Sequence, residues 1–457
     1  MKISERTIDA VKQVSLYDLA VALGDTPKKK GSWYIGSCPN PAHRAVERTP
    51  DTGWKVSTNR FKCFGGSCGI QGGPIDYYVW RVYGTPYDPK TQFVDAIHGI
   101  ANLMGIPIKY DEPPTGYRYH PTQPTSNYQP PERPPEVIPR SPEDCDRVYR
   151  AFLMHCPIYR EHAEELLGPK RQYTQDEVLA IGFRSVPRTF QEAKGIIDQL
   201  LQEGFNLERI PGFTQRLMRG SNPEDPQAWY WTFNAPNDGY FIPVRDEYGQ
   251  IIRLRVATKI AKSKYIWFSS EPTIWRKNGQ IRFVDPKVEM KQENYHLMQK
   301  GGCSSGAPFN VVVPAKVLPF WTPGMHFSDL IKTYRILITE GEHKSYITAN
   351  RLGIVVIGIP GVGIYRPLLS HLENWNVKET ILAYDMDSLQ TVEEQGNNEN
   401  VFKVLVDFSK ELIKSNNNVI LWTWDIAHGK GIDDLLLHQK IPVGVQLPSG
   451  IKVKVNL

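Results

Sequence analysis

The chain has 457 residues, of which 40% are apolar and 23% are charged, and its formal net charge is +5. This length allows about two to four domains, and the mild positive charge permits a polyanionic partner without requiring one. No apolar run approaches the roughly 20 residues that span a bilayer, and the first residues lack the apolar stretch of a secretory signal. We therefore expect a cytoplasmic protein without a membrane partner.

Six cysteines in a chain of this length are too few for a disulfide framework. Three of them, Cys38, Cys63 and Cys68, lie close in sequence to one another and to His43. The other three are scattered along the chain, and we expect them to be free, reduced thiols.

Residues 1–110 predict a compact domain of the zinc-ribbon type. The predicted elements are a helix over 7–23 that begins after Ser4, short strands at 54–56 and 60–63, and helices at 74–83 and 93–104.

The metal-ligand pattern in this domain consists of two pairs, Cys38 with His43 and Cys63 with Cys68, separated by a strand-sized insert. Zinc prefers four tetrahedral ligands, and three thiolates with one imidazole complete its coordination, which is typical of a structural site. Four residues intervene within each pair, where two are more common. The alternative is a set of unrelated buried cysteines, and their clustering with a histidine argues against it.

Basic and aromatic side chains surround the predicted zinc site. They are Arg44, Lys55, Arg60 and Lys62, with Trp54, Phe61 and Phe64. Cations beside exposed aromatic rings suit a single nucleic-acid strand, because phosphates meet the charges while bases stack on the rings. The alternative is a solvated basic face above aromatic rings that belong to the core.

Residues 111–142 contain ten prolines with Gln, Thr, Ser and Tyr and almost no aliphatic residues. Such a composition cannot bury a core, so we predict a semi-extended linker. A Pro-rich docking site for a partner is the alternative interpretation.

Residues 143–330 predict a mixed α+β subdomain. Helical patterns at 146–155 and 191–204 are followed by two extended runs over 239–256. A polar turn ending in Gly249 joins these runs, which indicates a β-hairpin.

From residue 331 to 457, apolar strands alternate with helices. The predicted strands are 336–339, 354–359, 380–384 and 419–424, and the predicted helices are 343–351, 365–374 and 400–414. This alternation predicts a mostly parallel sheet that is covered on both faces.

Acidic residues follow several of these strands. Glu340 ends the first strand, Asp385 and Asp387 follow the third, and Asp433 and Asp434 follow the last. Ligand sites in open parallel sheets gather at the carboxyl ends of the strands. Carboxylates that meet there suit a hard ion such as Mg²⁺ holding phosphate oxygens. A lone Asp-x-Asp is usually surface charge, whereas acids after successive strands form a more specific pattern.

Three segments of the chain resemble one family. Residues 1–110 resemble the N-terminal zinc-binding domain of bacterial-type DNA primases, and the following residues stand in family order: Lys30-Gly31, Tyr34, Gly36, Cys38-Pro39, Lys62-Cys63-Phe64 and Gly72-Gly73. The hairpin over 239–256 and Ser263-Lys264-Tyr265 resemble the basic subdomain that precedes the catalytic part of those primases. Residues 335–436 resemble the Toprim fold, which primases share with type IA and II topoisomerases and some nucleases.

The resemblance implies an α/β multidomain primase that makes short oligonucleotide primers from nucleoside triphosphates on a single-stranded DNA template. Its parts would be a zinc domain (1–110), a linker (111–142), a basic subdomain (143–330) and a Toprim catalytic subdomain (331–457). Zn²⁺ would be structural.

The resemblance also assigns roles to single residues. It implies that Glu340 assists proton transfer or metal binding, that Asp385 and Asp387 hold Mg²⁺ or Mn²⁺, and that Asp433 is a further ligand. Arg253, Arg255 and Lys264 would line the path of the template or the nucleotide.

The chain departs from the family in two ways. Glu342, His343 and Lys344 follow Glu340 where cellular primases more often have Gly-Tyr-Met-Asp. No helicase motor is recognisable after residue 436, so we expect a primase of a plasmid, phage or other mobile element that works with a separate replicative helicase.

Two other functions remain compatible with these residues. A Toprim nuclease would use the same metal site to cleave DNA. A replication-associated DNA-binding protein would bind DNA without catalysing any reaction at the acidic residues. A topoisomerase is disfavoured, because no tyrosine-bearing strand-passage domain is evident.

Overall fold

The computed structural model describes residues 3–30, 33–44, 50–64, 68–111, 134–260, 263–285, 288–361, 363–389 and 399–455. The chain divides into two compact units. The first comprises Met1–Glu136 with Arg276–Glu289, and the second comprises Val137–Trp275 with Met290–Leu457. In the part of the chain that is described, every helix is too short or too polar to cross a membrane.

The first unit is built from short helices around an antiparallel sheet. Its helices are α1 (Glu5–Lys12), α2 (Leu16–Ala22), α3 (Pro41–Arg44), α4 (Pro74–Tyr83) and α5 (Phe93–Met104). Its strands are β1 (Lys28–Lys30), β2 (Trp33–Gly36), β3 (Thr52–Lys55), β4 (Arg60–Cys63) and β5 (Gln71–Gly72). The strands lie in the order β1-β2-β3-β4-β5, and each neighbouring pair is antiparallel.

The helix predicted over residues 7–23 is in fact two helices. Ser4 caps α1 as predicted, since its hydroxyl accepts a hydrogen bond from the backbone of Thr7. A second cap, Ser15, accepts from the backbone of Asp18 and starts α2. The amide of Leu16 donates to Oδ1 of Asn59 at 2.8 Å, which holds the break between the helices against the sheet. The apolar spacing hid this break because both helices bury residues in the same core.

The predicted Pro-rich linker over 111–142 lies mostly outside the described residues, which stop at 111 and resume at 134. The helix that follows begins at Pro142, after Ser141 as its N-cap.

The second unit opens with helices and then turns to strands. Its helices are α6 (Pro142–His155), α7 (Arg160–Leu167), α8 (Gln175–Ile181), α9 (Phe190–Gln202), α10 (Phe327–Leu330), α11 (Glu342–Leu352), α12 (Arg366–Asn374), α13 (Glu399–Lys414) and α14 (Ile432–Leu437).

Three small sheets and one large sheet are formed by the strands that follow. The first of these strands are β6 (Arg184–Ser185), β7 (Phe213–Leu217), β8 (Trp229–Phe233), β9 (Tyr240–Arg245), β10 (Ile251–Ala257), β11 (Tyr265–Trp267), β12 (Ile274–Lys277), β13 (Gln280–Phe283) and β14 (Gln299–Lys300). They form sheets in the orders β11-β10-β9-β6, β14-β7-β8 and β12-β13. Of these strands, β13 and the end of β12 lie within Arg276–Glu289 and belong to the first unit. The hairpin predicted over 239–256 is confirmed by the antiparallel pairing of β9 with β10.

The large sheet has seven strands. They are β15 (Asn310–Val312), β16 (Arg335–Glu340), β17 (Val356–Ile359), β18 (Glu379–Leu382), β19 (Asn418–Thr423), β20 (Val443–Leu447) and β21 (Ile451–Val453). Their spatial order is β15-β17-β16-β18-β19-β20-β21.

This sheet is mixed rather than mostly parallel. The four central strands β17, β16, β18 and β19 run parallel, as the alternation of strands and helices predicted. Strand β15 pairs antiparallel with β17 at one edge, and β20 and β21 add an antiparallel ribbon at the other. The prediction missed these edge strands because an antiparallel strand needs no crossover helix, so no β-α-β rhythm marks it in the sequence.

Both faces of the large sheet are buried, and each belongs to a separate core. Alternate residues of β16 divide between them, with Leu337 in one core and Ile336 and Ile338 in the other. The core that contains Leu337 also contains Phe183 and Tyr240 from the preceding part of the chain. That preceding part therefore covers one face of the sheet.

A glycine substitution tests the packing of a third hydrophobic core in the second unit, which contains Phe213, Phe241 and Phe268. Gly212 has a φ of +94°, and a Cβ built there would lie 2.1 Å from Cδ1 of the buried Phe268. We expect Gly212→Ala to lower the free energy of unfolding by about 2–4 kcal/mol, because it combines backbone strain with overpacking. Gly195→Ala is the matched control: a Cβ in the middle of α9 meets nothing within 4 Å, so it should stabilise by about 0.5–1 kcal/mol. Urea denaturation followed by tryptophan fluorescence compares the two, and equal midpoints would contradict this packing.

Candidate functional site

The four predicted zinc ligands meet at one end of the sheet in the first unit. Cys38 follows β2, His43 lies on the short helix α3, Cys63 ends β4, and Cys68 follows it in the chain. The Sγ atoms of Cys38 and Cys68 are 3.5 Å apart, and Sγ of Cys63 is 3.4 Å from Nδ1 of His43. All four ligand atoms lie within 4.8 Å of one another.

This geometry fits zinc. A tetrahedron with Zn–S arms of about 2.3 Å has edges of about 3.8 Å, which matches the spacing of the four ligand atoms. The side-chain amide of Asn40 donates to Sγ of Cys68 at 3.6 Å, which is the kind of outer contact that orients a thiolate ligand. The three thiols are coupled: contacts with Cys38 and Cys63 lower the pKa of Cys68, whereas hydrogen bonding with Cys63 and Cys68 raises the pKa of Cys38. The four residues can therefore hold one zinc ion despite the long loop within each pair.

One face of the same sheet is basic and aromatic. Lys55 on β3 lies opposite Arg60 on β4 and opposite Trp33 on β2. Lys62 is two residues from Arg60, so its side chain lies on the same face. The Trp33 and Phe64 rings are 5.4 Å apart, Lys55 Nζ lies 5.5 Å from the Trp33 ring, and Phe64 is 54% exposed. We call this surface the outer face.

Two of the aromatic residues predicted to stack on bases are not on the outer face. Trp54 and Phe61 are 1% exposed, and both pack edge-on against Tyr77 in the core. For these two residues the alternative interpretation, core aromatics beneath a basic face, is correct. Sequence reasoning missed Trp33 on the outer face, although its alternation with the buried Tyr34 along β2 was available as a signal.

Arg44 differs from the other predicted basic residues because it forms an ion pair with a buried carboxylate. Its Nη1 is 2.7 Å from Oδ1 of Asp25, a buried carboxylate that also accepts from the hydroxyl of Tyr77 and from Arg81. Arg44 thus has a structural partner, whereas Arg60 is exposed on the outer face.

The acidic residues of the second unit come to the carboxyl ends of the parallel strands. Glu340 ends β16, and the φ of +91° at Gly341 turns the chain directly into α11. Asp385 follows β18, and Asp387 lies in a single 3₁₀ turn at Met386–Ser388. Asp433 lies on α14, in the connection after β19.

Backbone contacts hold these segments together. The amide of Met386 donates to the carbonyl of Lys430 at 3.0 Å, and the Met386 side chain is fully buried. The amide of Ala383 donates to the carbonyl of Ile338 at 3.0 Å, which continues the β16–β18 pairing up to the turn. The Asp385-Met386-Asp387 turn is therefore fixed between its two neighbouring segments.

Lysines lie among these carboxylates. Lys344 Nζ forms an ion pair with Asp385, and Lys430 Nζ is 2.7 Å from Oδ2 of Asp387 and 3.6 Å from Oδ2 of Asp385. Among the described residues, only Cys38, His43, Cys63 and Cys68 form a group of three or more His, Cys, Asp or Glu side chains whose ligand atoms lie close enough together to surround one ion. The carboxylates described here do not form such a group. We call the group of Glu340, Asp385, Asp387 and Asp433 with these lysines the acidic edge.

The acidic edge is also a single electrostatic unit. Burial raises the pKa of Glu340, the charges of Asp385 and Asp387 raise it further, and Lys344 and Lys430 oppose them. Burial likewise raises the pKa of Asp433, against the charge of Lys344. For Lys344, burial favours the neutral amine, but the charges of the acids outweigh it and raise the pKa. Proximity at the sheet edge thus couples acids that are far apart in sequence.

The three basic residues predicted to line a nucleic-acid path have different environments. Arg255 is 9% exposed, lies 3.3 Å from Oε1 of Glu342, and stacks over the ring of Trp267 at 4.6 Å. Arg253 donates from Nε to the carbonyl of Ser305 at 2.6 Å. Both guanidinium groups are thus engaged inside the protein, whereas Lys264 is exposed.

Arg171 was not predicted and lies at the acidic edge. Its Nη1 is 3.8 Å from Oδ2 of Asp433, and its Nη2 donates to the hydroxyl of Tyr265 at 2.7 Å. Arg171 lies in the connection between α7 and α8, more than 250 positions before Asp433 in the sequence. No local pattern there distinguishes it from other charged residues, so only the tertiary structure reveals it.

His343 anchors the start of α11. Its two ring nitrogens are hydrogen bonded to the hydroxyl groups of Tyr173 at 3.1 Å and Tyr240 at 2.8 Å. The ring stacks on Phe183 with centroids 5.4 Å apart and is 2% exposed. Burial, reinforced by the charge of Arg171, lowers the pKa of His343 well below its ordinary value.

The chain is similar to a small set of known proteins. The family model described as "Domain of unknown function (DUF3854)" matches residues 327–442. The primase of Aquifex aeolicus (zinc-binding and RNA polymerase domains) is 14% identical, with a TM-score of 0.39 over 98% of this chain and 86% of that one. The RNA polymerase domain of Mycobacterium tuberculosis primase DnaG, solved with double-stranded DNA, is 14% identical, with a TM-score of 0.40 over 65% of this chain and 77% of that one.

A third similar structure is the DnaG primase catalytic domain bound to single-stranded DNA. It is 12% identical, with a TM-score of 0.37 over 65% of this chain and 82% of that one. No curated protein matches the sequence significantly. Likeness at this level does not identify a function, which has to be argued from the sites.

The zinc site leads to a first prediction. Cys63→Ser removes one of four ligands, so the purified variant should lose the single tightly held zinc ion that we expect in the parent protein. Zinc content by atomic absorption measures this loss. Cys156→Ser is the matched control, because Cys156 lies in a separate hydrophobic core and should leave zinc content unchanged. Equal zinc content in both variants would contradict the site.

The buried His343 leads to a prediction about pH. Above pH 6.5, the ordinary pKa of histidine, its ring is neutral in both the folded and unfolded states, so its contacts stabilise fully. As pH falls below 6.5, only the unfolded state gains the proton, and the free energy of unfolding falls by about 1.4 kcal/mol per pH unit.

In His343→Gln no histidine takes up this proton on unfolding. The stability advantage of the parent protein over this variant should therefore shrink from pH 7.5 to pH 5.5. Urea denaturation at the two pH values gives the comparison. An advantage that stays constant would show that His343 titrates normally.

Proposed function

We propose that this protein is a DNA primase, which synthesises short oligonucleotide primers on single-stranded DNA by metal-dependent nucleotidyl transfer. The observation that carries the proposal is the gathering of Glu340, Asp385, Asp387 and Asp433 at the carboxyl edge of one set of parallel strands. The order of the segments supports it: a zinc-site domain, a basic α+β part and a Toprim-like sheet. The sequence resemblance to bacterial-type primases rests on the same order.

The acidic edge suits a hard divalent ion. Carboxylate oxygens are the donors that Mg²⁺ and Mn²⁺ prefer, and Mg²⁺ commonly uses one or two carboxylates and completes its shell with water and phosphate oxygens. Oδ1 of Asp433 is buried and has no hydrogen-bond partner among the described residues, which supports its role as a ligand. In this proposal Asp385 and Asp387 hold the ion, with Asp433 as a further ligand.

The chemistry is the attack of a 3′-hydroxyl oxygen on the α-phosphorus of a nucleoside triphosphate, with release of pyrophosphate. A bound divalent ion neutralises the negative charge that develops on the phosphate oxygens. In this proposal Glu340 accepts the hydroxyl proton, and the burial that raises its pKa toward the range of a useful base supports this role. Lys264 is the exposed cation of the basic part that we assign to the template backbone.

The outer face of the zinc domain is proposed to bind the template. Trp33 and the exposed Phe64 offer ring surfaces, and Lys55, Arg60 and Lys62 lie on the same face of the sheet. Rings beside cations bind single strands with little sequence preference. Use of a separate replicative helicase and an origin in a mobile element stay predictions from the sequence alone.

Primer synthesis can be tested with defined single-stranded templates. The parent protein, given labelled nucleoside triphosphates with Mg²⁺ or Mn²⁺, should produce a ladder of short oligonucleotides on a denaturing gel. Asp385→Asn and Asp387→Asn should lower the yield by about 100-fold or more, because each removes charge stabilisation at the reacting phosphate. Asp407→Asn, an exposed residue on α13, is the matched control and should behave as the parent.

Two outcomes would contradict the proposal. In the first, the parent makes no oligonucleotides while retaining zinc and cooperative unfolding. In the second, the two variants match the parent in yield. A parent protein that instead nicks supercoiled or single-stranded DNA, with loss of nicking in Asp385→Asn, would assign the same edge to a nuclease.

A further inference from the structure

The turn between β10 and β11 carries an exposed aliphatic side chain beside an exposed cation. Ile260 is 71% exposed, and Lys264, at the other end of the turn, is also exposed. The amide of Thr258 donates to the carbonyl of Lys264 at 3.0 Å, so the two ends of the turn lie side by side. We call the described residues of this segment, 258–260 and 263–264, the basic turn. It presents an apolar group and a positive charge on the same small part of the surface.

A carboxylate outside the basic turn fixes its first half. Oδ1 of Asp238 accepts from the hydroxyl of Thr258 at 2.6 Å. Its Oδ2 accepts from the backbone amides of Lys259 at 2.8 Å and of Ile260 at 3.1 Å. Burial raises the pKa of Asp238, but these hydrogen bonds outweigh burial and keep the pKa below its ordinary value. Asp238 is therefore a carboxylate at neutral pH, and the side chain of Ile260 extends from a backbone that this carboxylate holds.

Asp238 is itself anchored to the helical part of the second unit. Nε2 of His162, a buried residue of α7, donates to the carbonyl of Asp238 at 3.0 Å. Nδ1 of the same ring is 2.7 Å from the hydroxyl oxygen of Ser185. A continuous series of hydrogen bonds thus runs from α7 through Asp238 to the basic turn.

The other end of the basic turn is connected to the acidic edge. Tyr265 directly follows Lys264, and its hydroxyl accepts from Nη2 of Arg171 at 2.7 Å. Nη1 of the same guanidinium is 3.8 Å from Oδ2 of Asp433. The basic turn is therefore held at both ends, by Asp238 at the first and by Arg171 at the second.

We propose that Ile260 is a wedge that inserts between two bases of a single-stranded DNA template, and that Asp238 is the residue that positions this wedge. The inference rests on the proposed function, because the template is the strand that primer synthesis copies. Isoleucine is among the apolar side chains that separate stacked bases in proteins that kink DNA. Lys264 meets a phosphate beside the wedge, since each nucleotide brings one negative charge. A template base that is separated from its neighbour can pair with an incoming nucleotide while the next base is kept apart.

The fluorescence of 2-aminopurine tests the wedge without measuring synthesis. The emission of this base rises when it loses its stacked neighbours. A set of short single-stranded oligonucleotides carries it between adenines at successive positions, and zinc-loaded full-length protein is added to saturation without nucleoside triphosphates. The parent should raise the emission about twofold or more, and Ile260→Ser should lose about half of that rise or more, because serine is too small to separate two bases.

Variants of Asp238 separate positioning from a general structural role. Asp238→Ala should reproduce the loss seen in Ile260→Ser, because the two backbone amides lose their acceptor. Asp238→Asn should restore most of the rise, since the amide oxygen can still accept from them. The double variant Asp238→Ala with Ile260→Ser should be no worse than either single variant, because both changes act through the same side chain. A general loss of stability would give neither the rescue by asparagine nor this non-additivity.

Two further variants serve as controls. Ile441→Ser removes another isoleucine of similar exposure, 61%, and should match the parent. Lys264→Ala should keep the rise in emission at saturation but weaken binding. It should also reduce the slope of log K against log salt by about 0.7, the value for one phosphate contact on a single strand. The emission and the salt dependence thus report two different contacts of the basic turn.

The outcomes distinguish this inference from the proposed function. A parent that leaves the emission unchanged with every oligonucleotide overturns the wedge, and so does an Ile260→Ser variant that raises the emission as the parent does. Neither result would contradict primer synthesis. Conversely, a parent that separates bases through Ile260 but makes no oligonucleotides would support the wedge and contradict the proposed function.

Discussion

Repulsion among carboxylates at one edge of a parallel sheet is the constraint on which the second unit depends. Parallel strands bring the residues that follow them to the same edge, so Glu340, Asp385 and Asp433 lie at one edge of the sheet although they are far apart in sequence. Buried like charges are unstable unless cations compensate them. Lys344 and Arg171 supply this compensation from two directions, one from within the sheet domain and one from the helical segment before it. The charge balance of the acidic edge therefore depends on how these two segments pack against it.

The start of α11 joins these segments. Three consecutive side chains have three different partners: Glu342 pairs with Arg255, His343 is hydrogen bonded to Tyr173 and Tyr240, and Lys344 pairs with Asp385. Removing one partner of a buried ion pair such as Glu342–Arg255 typically costs about 3–5 kcal/mol, so this junction tolerates little change.

In the first unit, strand alternation separates the residues of the hydrophobic core from those of the outer face. Residues of β3 and β4 that point inward, such as Trp54 and Phe61, form the core, while Lys55 and Arg60 point outward together. Gly53 has no side chain between the Trp33 and Phe64 rings, and a Cβ there would lie 2.8 Å from both. The zinc ligands lie at the end of these strands, so a bound ion would hold the outer face in its shape.

Much of this architecture could be predicted from the sequence, because short-range patterns determine it. Cysteine spacing indicated the zinc site, apolar alternation indicated the central parallel strands, and the residues after those strands indicated the acidic edge. The sequence could not show the break at Ser15, the antiparallel edge strands, or the burial of Trp54 and Phe61, because both faces of a short strand can carry aromatic residues. It also could not show that Arg255 pairs with Glu342 or that Arg171 reaches Asp433. Such contacts join residues distant in the chain, and only the packing of one segment on another decides which charge meets which.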